Sequence, residues 1–158
     1  MQVSGWAETR QRDAYARRDM ERPEMTGDED KTTTRILVVE DSSSMRDLVS
    51  TALEAEGFEV KGASSGFQAL KSLKAARFDL IVTDINMPDL TGLELIRFVR
   101  SSSSHANTPL LVISTDAQAE DRRRAMALGA NDYLVKPFGM EELVEWCKKN
   151  TAGGRNPG

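Results

Sequence analysis

A few residues stand out by type and by what precedes them. Glu40 and Asp41 follow the apolar run Ile36-Leu37-Val38-Val39, and Asp84 closes Leu80-Ile81-Val82-Thr83. Ser114 and Thr115 follow Leu110-Leu111-Val112-Ile113, and Lys136 follows Tyr133-Leu134-Val135. If the four runs are strands of one parallel sheet, these groups meet along the edge formed by the strands' carboxyl ends. Three carboxylates brought together repel one another and need a cation or a proton. An all-oxygen set without cysteine or histidine favours a hard ion, Mg²⁺ or Mn²⁺. Such an ion commonly also takes phosphoryl oxygens. Lys136 adds a point charge for a phosphoryl oxygen, and the Ser114 hydroxyl a hydrogen bond. Asp84 is then the natural nucleophile, since carboxylates form aspartyl-phosphates. A carboxylate cluster that only caps loops is the plainer alternative, and Lys136 and Ser114 on the same rim oppose it.

The elements that must position these groups are legible from periodicity. Four-residue apolar runs between polar residues suit strands buried on both faces of a parallel sheet. Phe58-Glu59-Val60-Lys61 alternates instead and predicts a strand with one wetter face at a sheet edge. Met45, Leu48, Val49, Ala52 and Leu53 form the apolar stripe of an amphipathic helix. Ala69, Leu70 and Leu73 repeat the pattern, and Met140, Leu143, Val144 and Cys147 give the last stripe. Thr91-Gly92-Leu93-Glu94 predicts a capping box that opens a helix through Leu95, Ile96 and Val99. A helix anchored by Ala125, Met126 and Leu128 is expected to stop at Gly129. Five strands alternating with five helices predict an α/β fold: a flavodoxin-like, doubly wound (βα)5 with a parallel sheet in the order 2-1-3-4-5.

Composition bounds the rest. The 158 residues suffice for one ordinary domain, and no apolar stretch approaches the length of a membrane span. The opening residues show no signal-peptide core, and a single cysteine allows neither an internal disulfide nor a cysteine zinc site, so a cytoplasmic protein is expected. Residues 1–33 hold six Lys/Arg and eight Asp/Glu but only Val3 from Leu, Ile, Val and Phe. They predict a disordered or weakly helical tail, with Met20 or Met25 as candidate start sites. Residues 34–150 form the domain, and the Gly-rich residues 151–158 predict a second flexible tail. With 14 Lys/Arg against 17 Asp/Glu in residues 34–150, nucleic-acid binding is not expected.

Four strings resemble the receiver domain of two-component response regulators, in family order and at family spacing. They are R-I-L-V-V-E-D (Arg35 to Asp41), D-L-I-V-T-D-I-N-M-P-D-L-T-G (Asp79 to Gly92), L-L-V-I-S-T-D-A (Leu110 to Ala117) and G-A-N-D-Y-L-V-K-P-F (Gly129 to Phe138). The resemblance implies that Asp84 accepts a phosphoryl group from a histidine kinase or a histidine phosphotransfer protein. It implies that Asp41 ligates Mg²⁺ directly, Glu40 mainly through water, and Asn86 through its backbone carbonyl. Lys136 would pair with the phosphoryl group, or with Asp84 before phosphorylation, and Lys136-Pro137 would be cis. Ser114 would be the switch hydroxyl and Tyr133 the aromatic that changes rotamer with it, while Gly92 lets the loop after Asp84 turn into its helix.

Glu40 stands where aspartate is commoner, and Ser114 where threonine is also frequent. Asn86 and Asp116 flank the site and bear on acyl-phosphate hydrolysis. The resemblance implies a phosphorylation switch that catalyses only its own phosphorylation and dephosphorylation. The flanking segments are too short to fold as an output domain, which suggests a stand-alone, chemotaxis-type receiver acting through protein contact. Its output face would lie on the fourth helix, fifth strand and fifth helix. There Arg122-Arg123-Arg124 could meet an acidic partner, and Trp146 is a packing residue or part of that face. His105, the only histidine, reads as an exposed residue of a flexible serine-rich loop spanning Ser101 to Ser104 rather than as a relay donor. The alternatives are an Mg²⁺-dependent aspartyl-phosphate phosphohydrolase and a phosphorylation-independent interaction module. The first lacks its usual second aspartate, because Asn86 occupies that place, and the acidic cluster with Lys136 opposes the second.

Overall fold

A computed structural model describes residues 33–151. The expected tails, and the choice between Met20 and Met25, lie outside the described residues, apart from Thr33 and Thr151. The strands are β1 (Arg35–Val39), β2 (Glu59–Ala63), β3 (Leu80–Asp84), β4 (Leu110–Ser114) and β5 (Asp132–Val135). Between and after them run α1 (Ser43–Glu54), α2 (Gly66–Ala75), α3 (Gly92–Ser101), α4 (Ala119–Leu128) and α5 (Met140–Lys149). All strand pairs are parallel and the order is β2-β1-β3-β4-β5, as expected.

Successive side chains of a strand point to opposite faces, so a strand covered on both faces must be apolar throughout. In β1, Leu37 and Val39 join Ile81, Leu95, Ile96 and Val112 beneath α2, α3 and α4. Ile36 and Val38 join Val49, Leu53, Val82 and Cys147 beneath α1 and α5. Burial of each such side chain contributes about 1.5–3 kcal/mol. β2 is an edge strand, as its alternation predicts.

Local chemistry sets the helix ends. Ser42 Oγ accepts from the Met45 N–H and Ser65 Oγ from the Gln68 N–H, each satisfying an otherwise unpaired N-terminal donor. The capping box at α3 is formed in both directions between Thr91 and Glu94. Gly129 ends α4 at φ 123°, a left-handed conformation that favours glycine. Among the described residues no helix is long and apolar enough to cross a membrane.

Several sequence expectations need correction. Leu48, assigned to the apolar stripe of α1, is 54% exposed, because the helix meets the sheet chiefly through Val49 and Leu53. The Tyr133-Leu134-Val135 run is only partly covered: Tyr133 is buried in one core and Leu134 is half-buried against the other, but the end of the strand is open. β5 pairs only with β4, and Val135 is exposed. Thr151 is buried and its hydroxyl donates to the Cys147 carbonyl, so it finishes the last helix rather than starting a tail.

His105 is 2% exposed, not a solvent-facing loop residue. Its Nε2 accepts from the N–H of Phe78 at 3.2 Å, supplying a partner for a backbone donor just ahead of β3. Burial, and secondarily the Arg77 charge, hold its imidazole below the usual histidine range. Ser101 is the last residue of α3, and the loop that follows is braced rather than loose. The Arg100 guanidinium donates to the carbonyls of His105, Ala106, Thr108 and Gly129 and to Asn131 Oδ1.

Candidate functional site

The parallel sheet brings the chemistry-bearing residues to one edge. Glu40 follows β1, its N–H donating to the Ala63 carbonyl of β2. Asp84 is the last residue of β3. Lys136 follows β5, its N–H bonded to the Ser114 carbonyl of β4, and the Lys136–Pro137 peptide is cis. One carboxylate oxygen from each of Glu40, Asp41 and Asp84 lies within 4.8 Å of the others. Glu40 and Asp84 are buried and Asp41 is exposed.

Lys136 joins the two buried acids. Its Nζ donates to Glu40 Oε1 at 2.8 Å and to Asp84 Oδ2 at 3.1 Å. Burial works against the ammonium, but these hydrogen bonds and the two negative charges outweigh it, so its pKa stands above the ordinary lysine range. Burial pushes the Glu40 carboxyl up, offset by hydrogen bonds from Lys136 and the Ser42 N–H. Three carboxylates against one ammonium leave an excess of negative charge at the rim. The donors are all hard oxygens, which is the chemistry a Mg²⁺-sized ion requires. The residues present therefore fit such an ion.

Backbone contacts hold the surrounding loop. Asp84 Oδ1 accepts from the Asn86 N–H at 3.2 Å. Gly92 N–H donates to the Ile85 carbonyl at 2.8 Å. A Cβ on Gly92 would fall on the Asp84 carbonyl oxygen and within 2.7 Å of Ile85 Cα. Gly92 is thus required for close approach, not for the turning freedom expected of it. Asn86 Nδ2 donates to Asp116 Oδ2 at 3.3 Å, so the two flanking polar residues bridge the mouth of the site.

Ser114 and Tyr133 form a second cluster beside the first. Ser114 Oγ accepts from the Asp116 N–H at 3.0 Å, and the Tyr133 hydroxyl donates to the Asp116 carbonyl at 2.8 Å. Tyr133 is buried, and that burial raises its phenol above the usual range. Asp84 is in register with Ile113, one residue before Ser114.

Comparison with known proteins agrees with this geometry. Residues 36–148 match the response regulator receiver domain family. The chain belongs to that family. The receiver is 41% identical over 124 residues to a probable transcriptional regulatory protein of Picosynechococcus, covering 74% of this chain and 49% of that protein. It is 40% identical over 117 residues to the transcriptional regulatory protein PrrA of Mycobacterium tuberculosis, with the same shares. The chain thus spans about half the length of the curated relatives it matches. Among solved structures, the chemotaxis response regulator CheY4 of Vibrio cholerae is 40% identical, with a TM-score of 0.71 over 75% of this chain and 98% of that one. The receiver domain of the sensor histidine kinase PA1611 of Pseudomonas aeruginosa is 29% identical, with a TM-score of 0.69 over 75% and 98%. That structure holds a magnesium ion coordinated in its active-site cleft. Receivers of this family are phosphorylation switches of two-component signalling rather than conventional enzymes.

One pairing and two supporting residues escape the sequence reading of this receiver. The first contact of Lys136 is Glu40, not Asp84 alone. Arg46, on the first turns of α1, donates to the Glu40 carbonyl at 2.7 Å and lays its stem over Gly62. Asp89 accepts from the N–H groups of Gly66 and Phe67, tying the loop after Asp84 to the start of α2. These hydrogen bonds hold the Asp89 carboxyl below the usual range, the one from Phe67 foremost. For Arg46 the helical register after Asp41 was an available signal. For Asp89, which lies 22 and 23 residues from its partners, there was none.

Proposed function

We propose that Asp84 accepts a phosphoryl group from a phosphohistidine on a histidine kinase or histidine phosphotransfer protein. The observation that carries this reading is Lys136 Nζ set between Glu40 and Asp84, with Asp41 alongside. A carboxylate oxygen of Asp84 attacks phosphorus, the P–N bond to the donor imidazole breaks, and that nitrogen takes up a proton. Positioning and charge neutralisation supply most of the rate. Asp41 and Asp84 would hold a Mg²⁺ ion directly, Glu40 through water and Asn86 through its carbonyl. The ion would neutralise the clustered carboxylates and the incoming phosphoryl oxygens. Lys136 is already desolvated and aimed at Asp84, so it meets a phosphoryl oxygen there without reorganisation.

Ser114 and Tyr133 serve as the switch. A phosphoryl group beside the end of β4 competes for the Ser114 hydroxyl, which now accepts from the Asp116 N–H. Movement of that loop takes away the Asp116 carbonyl that holds the Tyr133 hydroxyl, and the ring repacks. Phosphorylation therefore shifts a population between two packings of β4, α4 and β5. Asn86 and Asp116, bridging the mouth, bear on the rate at which water reaches the acyl phosphate.

The downstream partner is a protein that docks on α4, β5 and α5. That face is less basic than Arg122-Arg123-Arg124 suggests. Arg122 is paired with Asp132, and Arg123 and Arg124 share Glu120. Trp146 donates to Asp132 at 3.0 Å and Val135 is open to solvent, so the face is mixed apolar and charge-paired. We place this exchange in the cytoplasm, where kinases draw on ATP.

The test is intact-mass analysis after incubation with a small phosphodonor and Mg²⁺. Wild type should gain one acid-stable, base-labile phosphate, and Asp84→Asn none. Labelling of both proteins, or continued turnover of the donor without labelling, would overturn the assignment.

A further inference from the structure

The flank formed by β2, the start of β1 and the outer side of α2 holds a cavity of about 580 Å³. Gln68, Lys71 and Ser72 recur at helical spacing along its α2 wall, and Lys61 of the edge strand faces them from the sheet side. Arg35 and Phe78 complete the lining. Arg35 opens β1, whereas Glu40 follows its last residue. The two are five residues apart along an extended strand, about 16 Å. None of the residues lining this cavity is shared with the acidic pocket.

Its charge runs against that of the domain. Residues 34–150 carry more acidic than basic side chains, yet the lining has three cations, Arg35, Lys61 and Lys71, and no carboxylate. Among the described residues Lys61 and Lys71 make no ion pair. Arg35 is fixed in place: its guanidinium lies over the Phe78 ring at 5.2 Å and its Nε meets Glu59 at 3.3 Å, on the exposed rim. The nearby Asp79 carboxylate is engaged by the Arg35 N–H. Gln68 is oriented as well. Its Oε1 accepts from both the N–H and the hydroxyl of Ser64, which leaves its amide hydrogens as free donors. Every polar side chain of the lining can thus donate a hydrogen bond, and the acceptor oxygen of Gln68 is already engaged by Ser64.

We propose that this cavity binds a small, multiply charged phosphate compound, through Lys61, Lys71 and Arg35 with Gln68 and Ser72 as neutral donors. The volume falls in the range of small-molecule sites. Charged residues Glu59 and Lys61 on β2 disfavour the addition of a peptide strand. A compact anion is therefore favoured over an acidic protein segment.

The test is an amide-resolved NMR titration of the full chain with inorganic pyrophosphate, with divalent cations removed. Under those conditions the acidic pocket around Asp84 repels the probe. Saturable shifts are expected at Gly62, Gln68, Ser72 and Ala75. Lys61→Gln and Lys71→Gln should each weaken binding about tenfold, while Asp84→Asn leaves it unchanged. Shifts that fail to saturate, that sodium chloride of equal ionic strength reproduces, or that survive both lysine substitutions would overturn the proposal. So would a triglutamate peptide binding as tightly as pyrophosphate, which would reassign the cavity to an acidic segment. The lysine variants should still take one phosphate at Asp84, so failure here is distinguishable from failure of the receiver reading.

Discussion

Lys136→Met removes the ammonium while keeping most of the side-chain volume. In the wild type the ammonium meets Glu40 at 2.8 Å and Asp84 at 3.1 Å, with Lys136 only 14% exposed. At an effective dielectric constant of about 20 the gross attractions are about 6 and about 5 kcal/mol. Desolvation of the three groups takes back most of this. Removing one partner of a buried pair nevertheless costs about 3–5 kcal/mol, because the remaining charges stay buried without compensation. The partial exposure of Lys136 argues for the lower end. We expect about 3 kcal/mol without divalent cations, a fall of about 2 M in urea midpoint at a slope of about 1.5 kcal/mol per M. Circular dichroism in urea and a chelator measures it. Adding Glu40→Gln should recover at least about 1 kcal/mol, since it removes the acid left stranded. A loss below about 1 kcal/mol would place the pair in the class of exposed salt bridges and refute the reasoning.

Other expectations follow from single contacts. Gly92→Ala drives a Cβ onto the Asp84 carbonyl and should cost about 2 kcal/mol in the same urea assay, with slower phosphorylation of Asp84 by a small phosphodonor. Burial depresses the His105 pKa, so between about pH 6.5 and its lower folded value the unfolded chain binds more protons. Stability is therefore full above about 6.5 and falls as pH drops through the folded value, and His105→Gln should flatten that slope in melts taken across the window. Burial pushes the Cys147 thiol up to about 12, so a disulfide reagent at pH 8 should leave the native protein unlabelled and label it rapidly in urea.

Much of the fold was legible because a doubly covered parallel strand must be apolar in every residue. Ile36 to Val39, Leu80 to Val82 and Leu110 to Ile113 announce themselves, and strict alternation with helices leaves few topologies. The same reasoning failed at Tyr133 to Val135, where three apolar residues also suit an edge strand with an exposed end. It failed at Leu48, because periodicity reports which residues share a helix stripe but not how deeply each reaches the sheet. His105 was misread because polarity and serine neighbours imply a loop but not whether that loop packs back against Phe78 just ahead of β3.

At the site, the sequence alone determined which groups meet. Residues at or just past the carboxyl ends of parallel strands share one edge whatever the detail of packing, so the convergence of Glu40, Asp41, Asp84 and Lys136 was legible by position, with Ser114 at the end of the neighbouring strand. Tertiary structure decided how they pair. Whether the ammonium meets Asp84, Glu40 or both depends on side-chain reach across β1, β3 and β5, and Glu40 is the nearer. Only the folded chain sets Arg46 on the Glu40 carbonyl, Asp89 on the start of α2, and Arg35 with Lys61 and Lys71 around one cavity. Chain spacing limits how far apart residues can lie, whereas charge, burial and hydrogen bonding act through space.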